Sequence, residues 1–263
     1  MAHYSRKSLV EALRKIGVRE ADVLFSHSNI ARLGIPEEGR SPEDIFATIF
    51  GAFQDVLGSS GTVVVPTFTY SFPQGKEFDP DATPSTAGAF TEVFRKRPDV
   101  RRSHDPCVSV SAWGARAAEL TESVPENTYA SDGFFGRLHR AGGKICNVNL
   151  DAGSTFIHYV ERQLRVPYRF DKTFEGIVRI KGVGHKRRST IWARDLADPR
   201  TEAWFTPFDR EARRAGLYNT AQVGMGEVGM MTCADVWALI EQTLPTRPRF
   251  LTAGERAVGK DLA

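Results

Sequence analysis

Long apolar runs are absent from the 263-residue chain: none approaches the roughly 18 residues that a membrane-spanning helix needs. Met1 to Leu13 is a charged amphipathic stretch without a signal-peptide core, so a soluble, cytoplasmic protein is expected. Cysteine is scarce. Cys107, Cys146 and Cys233 are far apart and form no CxxC pair, which argues against a disulfide framework or a zinc knuckle and for small buried hydrophobes. A charge excess is also missing. The net charge is +3, with denser basic spots only at 95–102 and 186–188, too little for a nucleic-acid binder. A mildly basic balance leans toward anionic ligands.

What is present suffices for a full-sized core. At 41% hydrophobic and 10% aromatic residues, one domain over 1–250 is expected, with a flexible tail over 251–263 rich in Pro, Arg and Gly. Leu9, Ala12, Leu13 and Ile16 recur at helical spacing from Ser5, and Gly17 supplies a stop. Ser41-Pro42-Glu43-Asp44 opens a second helix with an N-cap, a proline at N1 and early acids. Strands are expected at 22–28, 61–68, 108–113 and 144–150, and helices at 86–97, 131–141 and 154–165, the last ended by Pro167. This alternation predicts a three-layer α/β sandwich around a mostly parallel or mixed sheet. A β-hairpin over 174–193, turning at Gly182 to His185 and serving as an edge or a lid, and a final helix over 232–244 complete the chain.

The segment with most chemical content is Ser154 to Arg162. On a helix, Ile157, Val160 and Leu164 form a core stripe, and His158, Glu161 and Arg165 share the neighbouring face. A carboxylate beside a histidine fixes its tautomer and raises its basicity, as a general base requires. Alone, an HxxE pair is more often a solvated helix-surface pair. A metal site is weaker still, because HExxH is absent and no close His/Cys cluster adds ligands. Gly224-Met225-Gly226-Glu227-Val228-Gly229 matches GxGxxG but follows no strong strand and reads as a turn. Gly142-Gly143-Lys144 is no P-loop, and no GxSxG elbow occurs.

Several blocks together resemble the aminoglycoside 3-N-acetyltransferase family of CoA-dependent N-acetyltransferases. They run from Ala12–Val18 into Asp22–Ser28, through Gly61–Thr69, Phe78-Asp79-Pro80, Ser85–Gly88 and Arg101-Arg102-Ser103, to Gly142-Gly143-Lys144 and Thr155–Glu161. The resemblance spans roughly the first two thirds of the chain, in the family's order and near its spacing. It implies an αβα sandwich with a mixed sheet, and direct acyl transfer from acetyl-CoA or another acyl-CoA, without a metal, to a small-molecule amine. His158 and Glu161 match the family's T-x-x-H-x-x-E signature. His27, Ser28, Asn29, Thr67, Arg102, Ser103 and Thr155 fall in segments that line its CoA and acyl site, and Thr69 and Asp105 join the catalytic candidates. No nucleic-acid or membrane partner is implied, and a homodimer is compatible with the sequence.

Two departures bear on the acceptor. Arg102-Ser103-His104-Asp105-Pro106 carries an acid where the family's histidine stands, and Ile145–Leu150 replaces a Leu-rich strand. The wording around Pro66–Phe72 and Val166–Phe170 looks more like the family branch found among surface-polysaccharide proteins. The expected acceptor is therefore an amino sugar, nucleotide-linked. The alternatives are an aminoglycoside antibiotic and, from another class, a CoA-binding protein without catalysis.

Overall fold

The computed structural model describes residues 3–256. In chain order the elements are β1 (His3–Tyr4), α1 (Arg6–Lys15), β2 (Val23–Phe25), β3 (Ile35–Pro36), α2 (Pro42–Leu57), β4 (Thr62–Pro66), α3 (Ala89–Arg95), β5 (Arg101–Arg102) and β6 (Val110–Gly114). There follow α4 (Ala117–Thr121), α5 (Phe134–Arg140), β7 (Lys144–Val148), α6 (Phe156–Gln163), β8 (Arg169–Ile180), β9 (Val183–Arg194), α7 (Thr206–Arg214), β10 (Asn219–Val223), β11 (Gly226–Thr232) and α8 (Cys233–Thr243).

Seven strands form one sheet in the order β10-β11-β7-β2-β4-β6-β5. The central three, β7, β2 and β4, are parallel, and both flanks are antiparallel. Strand alternation sends neighbouring side chains into two separate cores. Phe25, Val64 and Ile145 face a core closed by Phe135, Phe156, Phe208 and Val236 of α5, α6, α7 and α8. Leu24, Val63 and Cys146 face one closed by Leu9, Ile49 and Phe90 of α1, α2 and α3. The expected αβα sandwich with a mixed sheet is the observed architecture.

Local chemistry explains the helix starts. Ser41 Oγ accepts the Asp44 N–H at 3.1 Å while Asp44 accepts the Ser41 N–H at 3.2 Å, a reciprocal box ahead of Pro42. Gly142, at φ +65°, ends α5 as expected.

The last third differs from expectation. Residues 206–214 form α7, and the segment read as a turn at 224–229 lies mostly in β11: Gly224, at φ +57°, and Met225 are the bend, Gly226 onward pairs with β10, and Val228 onward also pairs with β7. The hairpin is longer than 174–193, with 12 residues in each strand. It turns at Lys181 and Gly182, both at positive φ, the two-residue turn whose twist suits paired strands. It forms a sheet of its own, separate from the central one. Within the expected flexible tail, Leu251 and Thr252 are buried, Ala203 bridges to Thr252, and Arg256 stacks over Trp204 at 4.2 Å. Docking of residues 251–256 corrects that expectation; residues 257–263 lie outside those described. Among the described residues no helix is long and apolar enough to cross a membrane.

Candidate active site

The three parallel strands end side by side, and their carboxyl ends carry His27-Ser28, Thr67 to Thr69, and Asn147 to Asn149. Connections leave this row toward both faces of the sheet, the kind of switch point where open α/β sheets bind ligands. The loop after β7 is shaped from within by Asn147, which is fully buried. From outside, the Ala152 N–H is held by Asp209 of α7 at 2.9 Å. Thr155 then stands at the start of α6, where its hydroxyl lies 3.1 Å from His27 Nε2.

One turn into α6 is His158. Its Nδ1 lies 2.6 Å from Glu161 Oε2, and its side chain keeps 19% of its exposure, toward a cleft of about 680 Å³. Tyr129 and Phe205 flank the imidazole, with ring centroids 6.3 Å and 5.7 Å away. Burial first, and then the nearby Arg169 guanidinium, hold the His158 pKa below its ordinary value, although Glu161 pulls the other way. These surroundings favour the neutral ring. A proton shared between Nδ1 and Glu161 leaves Nε2 as the basic nitrogen.

Glu161 is completely buried, yet its partner is not Arg165, as helical spacing suggested. Arg165 takes φ +56°, breaks the helix and is exposed. Arg169, at the start of β8, takes the place: its Nε forms an ion pair with Glu161 Oε2 at 2.8 Å, and Tyr168 donates its hydroxyl to Oε1 at 2.8 Å.

The hairpin walls the cleft through Lys172, Phe174 and Ile191 to Arg194. Of the residues singled out from sequence, His158 and Thr155 line it, and Glu161 stands directly behind. The others lie elsewhere. Asp105 is buried and accepts from the Cys107 and Val108 N–H groups at 2.9 Å and from the Thr128 hydroxyl at 2.7 Å, so it braces the entry to β6 rather than His158. Thr69 is buried and accepts from the Ser71 N–H at 3.3 Å, and Thr67 points among Ser109 and Ser111. Ser103 accepts the Val110 N–H at 3.0 Å. The Arg102 guanidinium donates to the carbonyls of Thr67, Pro80 and Thr83, a clamp on the loop after β4 rather than a free cation. It borders a second, basic groove of about 550 Å³ with Arg101, His104 and Lys186 to Arg188. Asn29 donates its N–H to Val148 and receives the Asn149 amide on its carbonyl.

The hydroxyls of Ser26, Ser28 and Ser154 and the Nδ1 of His27 are buried without a partner among the described residues. All four belong to the segments that meet where Ser28 bridges to Val148 and His27 reaches Thr155. Such groups suit a polar ligand atom at that point. Cys107 also lines the cleft, but burial, and then the charge of Asp105, push its thiol up to about 12, which leaves it a poor nucleophile. Tyr168, Arg169, Tyr129 and Phe205 were not foreseen, because only the tertiary fold brings them to α6.

The family model for aminoglycoside 3-N-acetyltransferases matches residues 25–245. The chain belongs to this family. It is thus an N-acyltransferase, the class that the sequence blocks implied. Among curated relatives, aminoglycoside N(3)-acetyltransferase VII of Streptomyces paromomycinus is 26% identical over 261 residues, covering 88% of each chain. Aminoglycoside N(3)-acetyltransferase III of a Salmonella species is 29% identical over 192 residues, covering 65% of each. Two solved structures share the fold. AAC-IIIb, solved as a binary complex with CoASH, superposes at a TM-score of 0.80 with 22% identity, covering 94% of this chain and 98% of its own. AAC-VIa bound to sisomicin gives 0.77 with 23% identity, covering 93% and 98%.

Proposed function

We propose that this enzyme transfers the acetyl group of acetyl-CoA to an amine of an aminoglycoside, with His158 as general base and Glu161 as the group that orients it. The observation that carries this reading is a histidine open to the cleft on one edge and anchored by Nδ1 to a buried carboxylate on the other. The family and the relatives' activity supply the reaction class and the acceptor.

In the transfer, the amine nitrogen bonds to the thioester carbonyl carbon as Nε2 of His158 takes the amine proton. The carbon–sulfur bond then breaks, and CoA departs as a thiolate that recovers that proton. Backbone N–H groups at the start of α6, beside Thr155, are the donors best placed for the oxyanion, each such donor typically contributing about 3 kcal/mol. Thr69, engaged with Ser71, is the weaker candidate. The unpartnered Ser28 and Ser154 hydroxyls suit the polar atoms of the acyl-carrying arm.

A second reading keeps the chemistry and changes the acceptor. Lys172 and Arg194 line the cleft against a single acid, Glu202, and the charge of Arg169 is already met by Glu161. A polycation gains little from such a wall, whereas an amino sugar carrying a nucleotide diphosphate does. Two assays separate the possibilities. His158→Ala should lower turnover by about 10² to 10⁴-fold with CoA affinity nearly unchanged by calorimetry; undiminished turnover would remove His158 from the mechanism. Release of CoA thiol with sisomicin, but not with UDP- or dTDP-linked amino sugars, supports the aminoglycoside reading, and the reverse supports the second.

A further inference from the structure

Glu161 presents a problem that His158 alone does not solve. A carboxylate with no solvent exposure has no water to fill its lone pairs, so the side chains that reach it set its orientation. A carboxylate turned away from Nδ1 would release the imidazole to the other tautomer, with hydrogen on Nε2 and no base facing the cleft.

Two residues outside α6 counter this. Arg169 brings a positive charge to Oε2, the oxygen that also receives His158, at 2.8 Å, and its own side chain is only 5% exposed. Tyr168 fills the other oxygen with a hydroxyl at 2.8 Å. Their arrival is built into the chain. Arg165 turns the backbone into the left-handed region, and the Val166 N–H closes onto the Glu161 carbonyl at 3.1 Å. The strand that starts at Arg169 therefore runs back past the carboxylate. Arg249 stacks over the Tyr168 ring at 5.5 Å and holds it from the C-terminal segment.

We propose that Arg169 and Tyr168 are positioning residues of the transfer reaction, holding the Glu161 carboxylate in register so that His158 keeps its proton on Nδ1 and presents Nε2 to the amine. The role rests on the reading of His158 as base. The charged and titratable groups around the imidazole are Glu161 on its own helix, Arg169 and Lys172 of β8, Arg194 of β9, Glu202, and Cys107 and Tyr129 on the opposite wall. Of these, Glu161 is hydrogen-bonded to the ring, and Arg169 meets that carboxylate as an ion pair.

The test is an NMR titration of ring-labelled histidine in the full-length protein, which reads tautomer and protonation of His158 without any acceptor. Arg169→Gln, which removes the ion pair that fixes Oε2, should shift His158 toward the tautomer with hydrogen on Nε2, the form a free neutral imidazole prefers, and move its titration midpoint. Tyr168→Phe, which frees only Oε1, should shift the tautomer in the same direction by less. Arg169→Lys, which keeps the charge, should restore the wild-type signal. Turnover of Arg169→Gln should fall about tenfold or more, in kcat rather than KM. A His158 signal unmoved in both Arg169→Gln and Tyr168→Phe overturns the proposal, and if Arg169→Gln does not fold, the Tyr168→Phe and Arg169→Lys titrations decide it. His158→Asn reports separately: undiminished turnover there removes the base and, with it, the role given to its neighbours, whereas lost turnover beside an unmoved titration removes only Arg169 and Tyr168.

Discussion

The side-chain amide of Asn147 reaches forward from the end of β7 and donates to the carbonyl of Gly153 at 2.9 Å. The same nitrogen donates to the Asp151 carbonyl at 2.6 Å, and the Asn147 oxygen receives the His27 backbone N–H at 3.4 Å. One buried amide thus joins the end of β2, the end of β7 and the loop that leads into α6. Replacing it by leucine leaves two inward carbonyls unanswered. Asn147→Leu should cost about 2 to 4 kcal/mol of stability, measured by urea denaturation, and should reduce kcat because α6 loses its fixed start.

Acid should weaken the fold through His27. Burial holds its imidazole down at about 4, well under the ordinary value of 6.5. A folded value below the unfolded one means that stability is fully present above about pH 6.5 and is lost as the pH falls toward about 4, by roughly 3 kcal/mol over the window. His27→Gln should flatten that part of a plot of denaturation free energy against pH. In the same direction, the acid limb of kcat/KM should lie below the ordinary imidazole range, because His158 is also held down; a limb above that range would contradict the environment described for it.

Cys107 tests whether an acyl-enzyme takes part. With its thiol pushed up to about 12 and its side chain buried, it should react slowly with maleimide. Cys107→Ser should keep turnover within about threefold, because a nucleophile that is not used costs little to replace. Mass spectrometry of enzyme mixed with acetyl-CoA alone should show no added acetyl group.

The charge of the hairpin wall should set acceptor affinity. Lys172→Glu combined with Arg194→Glu should lower the KM for sisomicin by about threefold to tenfold, the range expected for two partly exposed charges. The same pair should raise it for a nucleotide-linked amino sugar. Equal KM values in variant and wild type would place the acceptor away from this wall.

Legibility in the sequence followed the range of the forces involved. The helix at Pro42–Leu57 was readable because Ser41, Pro42 and Asp44 act within four positions, and β4 because Thr62–Pro66 is a buried β-branched run. The pair β10 and β11 was not. Asn219–Val223 alternates polar and apolar residues, and Gly226 and Gly229 dilute the next strand, so the glycines read as a turn until β7 paired with them. Helix α7 shows few apolar residues beyond Pro207, Phe208 and Ala212 among its arginines. At the site, His158 and Glu161 were visible because both lie within one helical turn. Arg169 was not, since it reaches Glu161 through the backward turn at Arg165, and helix periodicity nominated Arg165 instead. Asp105 stood out as an altered motif, and what it does, bracing Cys107, Val108 and Thr128, is local architecture.

The hairpin's separateness from the central sheet has a corollary. The His158–Glu161 pair rides on α6, whereas most of the opposing wall is a two-stranded sheet of its own, tied to the rest of the chain by main-chain bonds at Phe78, Glu126 and Thr128. Residues 170–194 can therefore be rewritten with few consequences for the central sheet or for the His158–Glu161 contact. The exception is the hairpin's first residue. Arg169 belongs to the hairpin by backbone and to Glu161 by charge, so any transplanted hairpin has to bring an arginine at its root or leave that buried carboxylate without its ion pair.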